Sequence, residues 1–238
     1  MKGVVVHDIH VSMRRLWLLV AWIHFHRRGE RDKIRQLHHT VAQQQVVFLT
    51  RDSLRHRRDI EHAYLKAING AQREIIIANA YFLPGRKFRH ALLNAARRGV
   101  RVVLFLQGKV EYRLQHYATM ALYDELLHAG IEIFAYQASF LHAKVAVVDG
   151  LWSTVGSSNI DPFSLWLARE ANLMVEDAPF AAALRDDLLA EMQQNASRIS
   201  PSVWRKLNIF SLFLRYASYA LARILAGMLV YQEERDDI

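Results

Sequence analysis

The sequence contains no cysteine, no cluster of residues spaced to hold a metal, and no uninterrupted apolar segment long enough to cross a bilayer. The missing cysteine excludes a disulfide scaffold, a thiolate metal site and a cysteine nucleophile, and it fits a reducing cytoplasm. The N-terminal apolar run, Leu16 to Phe25, is ten residues long, where a spanning helix needs roughly 20. Basic residues precede it as in a secretory signal, but no small-x-small cleavage site follows, so it reads as a buried helix. Acidic residues are also scarce: 23 Asp and Glu stand against 31 Lys and Arg, a net charge of +8. Such a balance suits nucleic acid, anionic lipid or a phosphorylated substrate. The charge is unevenly placed, with 12 basic and 5 acidic residues in 1–60 but 3 basic and 7 acidic in 140–190.

What is present is a folding chain. Its 238 residues, 52% of them hydrophobic and 11% aromatic, are ample for a buried core. Residues 1–45 read as an N-terminal helical tail and linker, 46–197 as one catalytic lobe, and 198–238 as a C-terminal amphipathic, membrane-associated helix. Within the lobe, apolar strands alternate with amphipathic helices. Strands are expected at Val46–Leu49, Arg73–Phe82, Val100–Leu106, Ile131–Tyr136, His142–Val148, Trp152–Val155 and Leu167–Val175. Helices are expected from Asp52 or Ser53 to Asn69, along the Phe88–Ala96 stripe, over 113–129, and from Ala178 to about Asn195. The fold class is α/β: a mixed, largely parallel sheet covered by helices on both faces, with helical tails at each end.

Trp204 to Tyr231 is strongly apolar but carries Arg215 and Arg223, each costing about 2.5 to 3.5 kcal/mol at the centre of a spanning helix. On a helical wheel, Asn208, Ser211, Arg215, Ser218 and Arg223 share one sector, while Phe210, Phe213, Leu214, Leu221, Ile224 and Met228 lie opposite. This describes a helix lying in a membrane interface; the alternatives are a terminal helix packing its apolar face on its own domain and a helix that spans.

The segment that carries chemistry is His142-x-Lys144-x-x-x-x-Asp149, followed by Gly156-Ser157-x-Asn159 and by Glu170 on the next strand. Side chains two apart on a strand share a face, so His142 and Lys144 are expected to point the same way from a strand end. An imidazole beside an ammonium suits attack on a phosphate, whose non-bridging oxygens need a cation as negative charge rearranges. Ser157 and Asn159 would add neutral donors. Glu170 could orient the imidazole through its other ring nitrogen.

This pattern matches the HxKxxxxD and GSxN signature of the phospholipase D superfamily. The stretches at residues 78–85 (ANAYFLPG), 95–100 (AARRGV) and 156–164 (GSSNIDPFS) further resemble the C-terminal half of a bacterial cardiolipin synthase, over roughly Val46 to Asn195. The resemblance implies a phosphatidyltransferase of phospholipid biosynthesis, acting without metal or other cofactor. His142 would be the phosphohistidine-forming nucleophile or its general-acid counterpart. Lys144 and Asn159 would bind phosphate with support from Ser157, Glu170 would position a histidine, and Asp149 would be mainly structural. The implied partners are phosphatidylglycerol or phosphatidylethanolamine and the cytoplasmic face of a bacterial cell membrane, held peripherally or at the interface.

Cardiolipin synthases carry two such motifs, one per lobe. Here none of the other eleven histidines has Lys and Asp at the required spacing. Gly3 to Val20 resembles the strand-to-helix passage that closes a first lobe, so the sequence is expected to begin near the end of a lost or separately encoded lobe. A homodimer, or a partner bearing the first lobe, would then complete the site; otherwise the chain is a truncated, inactive half. A dimeric single-motif phosphodiesterase acting on nucleic acid is the alternative that the charge favours and the apolar C-terminal helix disfavours.

Overall fold

Apolar residues occupy successive positions along the central strands, so each strand has two faces to bury. The computed structural model describes residues 4–23, 45–51, 58–161, 169–204 and 209–236. The elements are α1 (Val4–Ile23), β1 (Gln45–Arg51), α2 (Asp59–Gly70), β2 (Glu74–Asn79), α3 (Arg86–Arg97), β3 (Arg101–Gln107), α4 (Arg113–Met120), α5 (Tyr123–His128), β4 (Glu132–Tyr136) and β5 (Lys144–Val148). They continue with β6 (Trp152–Gly156), β7 (Glu170–Glu176), α6 (Ala178–Asn195), β8 (Ala196–Arg198), α7 (Pro201–Trp204) and α8 (Ile209–Asp236).

The strands form one sheet in the order β1-β7-β6-β5-β2-β3-β4-β8. Odd and even positions sort cleanly between two cores. Ile75, Ile77, Val102, Leu104, Ala146 and Val148 join the core that also holds Ile60, Tyr64, Phe88 and Leu92 of α2 and α3. Ile76, Ala78, Val103, Phe105 and Val147 join the other, against Ala181, Leu188 and Met192 of α6. Burial on both faces is why these strands read as continuous apolar runs.

The mixed α/β sheet is as expected, but its parallel part is smaller than the sequence suggests. Among the described strands, only β2–β3 and β3–β4 pair in parallel, where helices α3 and α4–α5 supply the crossovers. Beyond residue 141, β5, β6 and β7 are antiparallel to their neighbours, as are β1 and β8. The tight turn at Asp149–Leu151, which joins β5 to β6, permits only that pairing.

Several boundaries also differ. Helix α2 begins at Asp59, and residues 52–57, with the expected caps, lie outside the described residues. The single helix expected over 113–129 is two, bent at Ala121–Leu122, which buries both Leu122 and Tyr123 and brings Tyr123 against Trp204 with ring centroids 5.0 Å apart. Strand β2 ends at Asn79, and β5 starts at Lys144, leaving His142 on the preceding loop. Val4–Val6 are helical rather than strand; a helix satisfies its own backbone groups, whereas a strand without a neighbour does not. Residues 30–44 of the expected 30–45 linker are outside the described residues, as are the side chains of Leu16 to Ile23, and Gln45 begins β1.

Helix α8 packs along α4 with the opposite face from the one an ordinary terminal helix would use. Arg215, Ser218 and Ala222 are buried, while Phe213 is 70% exposed and Leu212, Tyr216, Leu221 and Ile224 about half exposed. The Arg215 guanidinium lies 4.0 Å from the Trp204 ring centroid, a cation–π contact that suits a desolvated arginine. Of the apolar stripe, Phe213, Leu221 and Ile224 are thus turned away from the lobe, while Leu214 is half-buried. Among the described residues, no helix is long and apolar enough to cross a membrane.

Candidate active site

Strand direction brings the chemistry to one end of the sheet. The parallel strands β2 and β3 finish there with Asn79 and Gln107. Antiparallel β5 starts there, placing Lys144 directly opposite Asn79. The successive reversals add the end of β6 at Gly156, the start of β7 at Glu170, and the end of β1 at Arg51, which pairs across to Glu170. Ligands of open α/β sheets sit at this carboxyl end of the parallel strands.

The Gly156-Ser157-Ser158-Asn159 turn is held by side chains rather than by a helix. A Cβ on Gly156 would come within 2.3 Å of the Asn172 side chain and 2.4 Å of the Ala171 carbonyl, so only glycine fits. Asn172, fully buried, donates to Thr154 Oγ1 at 3.0 Å and accepts from the Ser158 amide at 3.4 Å. The Asn79 Oδ1 accepts from the Ile160 amide at 3.2 Å, tying the far side of the turn to β2. Ser157 donates its hydroxyl to Glu170 and accepts from the Ala171 amide at 3.0 Å.

Lys144 is 6% exposed, and Asn159 and Asp161 are also buried. Burial pulls the Lys144 ammonium below the usual lysine range, against the attraction of Glu170, Glu111 and Asp161. Glu170 is displaced upward: burial dominates, Asp161 adds to it, and the Ser157 hydrogen bond, Arg51 and Lys144 oppose it. Arg51 and Lys144 thus share a small desolvated region with Glu170 and Asp161. A phosphodiester at this end of the sheet would meet the Lys144 cation and the neutral donors of the serine–asparagine turn, with Arg51 buried behind them, the arrangement that stabilises charge on non-bridging oxygens.

The six residues singled out from the sequence divide into two groups. Lys144, Ser157, Asn159 and Glu170 are gathered at this end of the sheet, with His142 on the loop entering β5. The His142 ring is exposed, and its backbone carbonyl accepts from Lys144 Nζ at 3.3 Å. Glu170 pairs with Ser157, and among the described residues no hydrogen bond joins it to the His142 ring. Asp149 is elsewhere, at the opposite end of β5, about 16 Å from Lys144 at the rise of an extended chain. There its carboxylate accepts from the amides of Gln72, Arg73 and Glu74 at 2.8, 2.8 and 2.9 Å. Burial alone would raise its carboxyl, and those backbone donors more than reverse this, leaving it below the usual range.

Arg51, Asn79, Gln107 and Asp161 lie buried at or beside the same end of the sheet and were not among the expected residues. Asn79 and Asp161 sit inside the ANAYFLPG and GSSNIDPFS stretches and could have been found there. Arg51 had only the weaker signal of a charge ending an apolar strand.

Comparison with known proteins fixes the relationship. The family described as "Cardiolipin synthase, PLD-like domain" matches residues 64–192, more than half the chain. This chain belongs to that family. Cardiolipin synthase B of Shigella flexneri is 45% identical over 167 residues, covering 70% of this chain and 39% of the relative. Cardiolipin synthase B of Escherichia coli K12 is 44% identical over 167 residues with the same coverage. The chain therefore spans about two fifths of the length of these cardiolipin synthase relatives. Among solved structures, phosphatidylserine synthase of Haemophilus influenzae has a TM-score of 0.62 at 15% identity, covering 83% of this chain and 49% of that one. A phospholipase D family member, Nuc of Salmonella typhimurium, has a TM-score of 0.54 at 19% identity, covering 66% and 99%. These two share the fold with the cardiolipin synthase-like lobe.

Proposed function

We propose that this chain is a phosphatidyltransferase of cardiolipin-synthase type that works through a phosphohistidine and contributes one of two histidine-bearing lobes. The observation that carries the reading is the His142-x-Lys144 and Gly156-Ser157-x-Asn159 pattern set within a segment 45% identical to cardiolipin synthase B. The His142 imidazole attacks the phosphorus of a donor phospholipid. The P–O bond to the head alcohol breaks, and the leaving alkoxide takes a proton from the histidine of the second lobe. That histidine then accepts the proton of a phosphatidylglycerol hydroxyl, whose oxygen attacks phosphorus and frees His142. Lys144, Ser157 and Asn159 hold the non-bridging oxygens, and Glu170 orients an imidazole.

A second copy of the chain, or a partner bearing the first lobe, supplies the other histidine. The lobe at 46–197 is the catalytic unit. Residues 198–238 hold it peripherally on the cytoplasmic face of a bacterial membrane, through the exposed apolar stripe of α8. Anionic headgroups would meet exposed Arg86 and Lys87. The test is incubation with phosphatidylglycerol vesicles followed by lipid analysis, comparing the protein with His142→Ala. Cardiolipin from the first and none from the second is expected, and equal yields would end the assignment. Sedimentation at several concentrations tests pairing, since a strict monomer with turnover excludes it.

A further inference from the structure

Resting on the phosphatidyl-transfer reading, we infer that Gln107 and Lys109 are positioning residues for His142: from the end of β3 they hold the loop that carries the nucleophile, and so set where its imidazole stands.

The sheet order explains why such residues are needed. The chain leaves β4 at Tyr136 and enters β5 at Lys144, but β3 and β2 lie between those strands. Residues 137–143 must therefore cross the ends of both, about 14 Å at about 4.8 Å per strand. Seven extended residues reach about 23 Å, so length alone leaves the path loose. Packing does little to fix it, since residues 137–140 are exposed, while Leu141 and Ala143 rest partly buried against the α6 core.

Hydrogen bonds fix it instead. Gln107 is the last residue of β3, beneath the crossing, and its Oε1 accepts from the Leu141 amide at 3.1 Å. Lys109 Nζ donates to the Ala138 carbonyl at 2.9 Å. Gly108, between them, lies so close to the Tyr136 carbonyl that a Cβ would come within 2.4 Å, which fixes the backbone from which both side chains reach. On the far side of His142, the Ala143 carbonyl accepts from the Ala80 amide at 3.0 Å. His142 is thus exposed, yet the residue before it is tied to β3 and the residue after it to the extension of β2. Gln107 is 8% exposed, and its Nε2 is buried with no hydrogen-bond partner. An apolar residue would leave no donor unmet there, so an amide at this position serves the loop rather than the core. The geometry it holds matters for rate, because a misplacement of about 1 Å at the reacting atoms can cost about 100-fold.

The test is kinetics in phosphatidylglycerol vesicles together with hydrogen exchange of the 137–143 segment, both on the full chain. Gln107→Leu removes the acceptor and is expected to lower kcat at least about 10-fold with KM within about 3-fold of the parent. It should also speed exchange of the segment at least about 10-fold. Gln107→Glu restores an oxygen at the same place and is expected to bring kcat to within about 3-fold of the parent and exchange to the parent rate. Lys109→Ala, at an exposed position, is expected to lower kcat about 3-fold and to speed exchange of the segment. Parent kcat in Gln107→Leu, a fall in kcat without faster exchange, or a Gln107→Glu no better than Gln107→Leu would overturn the inference. If Gln107→Leu does not fold, Lys109→Ala decides, and parent exchange there overturns it. Exchange is read without turnover. Faster exchange in these variants of a chain that makes no cardiolipin would refute the transfer reading and leave the positioning standing. Cardiolipin synthesis with exchange and kcat indifferent to both residues would do the reverse.

Discussion

Lys144 Nζ donates to the backbone carbonyl of His142 at 3.3 Å, so the cation lies folded against the loop that carries the nucleophile. Because Lys144 is buried and its folded pKa lies below that of a free lysine, the unfolded chain holds its proton more firmly than the native state does. The native state therefore carries an electrostatic cost at every pH below the folded pKa. The cost fades as pH rises from there to the ordinary lysine value. Lys144→Met should raise thermal stability at pH 7, since the burial that lowers the ammonium outweighs its attraction to Glu170, Glu111 and Asp161. It should also lower kcat by about 100-fold or more, as loss of an oxyanion donor does. A lower melting temperature together with lost activity would show that Lys144 serves the fold.

Glu170 behaves oppositely in charge and alike in principle. Burial raises its carboxyl, while the Ser157 hydroxyl, Arg51 and Lys144 hold it down. Ser157→Ala removes one of the lowering contributions, so the acid limb of the kcat/KM profile should move to higher pH. Since the charged form is penalised above the folded pKa and relieved as pH falls through it, Glu170→Gln should stabilise at neutral pH and flatten stability against pH. A pH–rate profile of Ser157→Ala superimposable on the parent would remove Glu170 from the titrating groups of the reaction.

Asp149 should matter for stability and not for chemistry. It takes a positive φ of 55° beside Gly150 at 65°, the central pair of a tight hairpin turn, and its carboxylate gathers three amides from the α2–β2 connection. Asp149→Ala should cost about 2–3 kcal/mol in urea unfolding. Asp149→Asn, which tolerates the left-handed backbone and keeps one oxygen, should cost less. The carboxyl's folded pKa is lowered, so its contribution is present above the unfolded value and lost as pH falls through the folded one. Turnover per folded molecule should be unchanged in both variants; a large fall in kcat at native stability would contradict the structural role.

The parts of this molecule that could be read from sequence were those in which local pattern and tertiary demand coincide. Alternate residues of β2, β3 and β5 serve two cores, so the strands announced themselves as apolar runs. Asp177 accepts the Phe180 amide at 2.8 Å and caps α6, whose span from Ala178 to Asn195 agrees with the expected one. The His142, Lys144, Ser157, Asn159 and Glu170 set was legible because its spacing is characteristic. Strand direction was not, since the sheet order depends on which edges meet after residue 141. Nor was the Ser157–Glu170 pairing, set by β6 lying between β5 and β7. Arg51 and Glu170, 119 positions apart in sequence, become neighbours only through β1–β7 pairing.

Helix α8 supplies a prediction in which fold and membrane binding separate. At about 100° per residue, Arg215, Ser218 and Ala222 form one stripe, and among the helix's described side chains they are the buried ones. Phe213, Tyr216, Leu221 and Ile224 turn outward, where water should be least favourable to them. A charge introduced on the outward stripe would leave the buried Arg215, Ser218 and Ala222 stripe intact, so Phe213→Glu with Ile224→Glu should leave the melting temperature within a few degrees of the parent. Each buried side chain of this size contributes roughly 1.5–3 kcal/mol on leaving water. The pair should weaken sedimentation with anionic vesicles by about 100-fold or more. Arg215→Ala should do the contrary, lowering stability through the lost contact with Trp204 while the remaining folded protein binds vesicles normally. If the double variant binds vesicles like the parent, the outward stripe is not the membrane contact. A shift in sedimentation coefficient without vesicles would then identify it as a surface that pairs with protein.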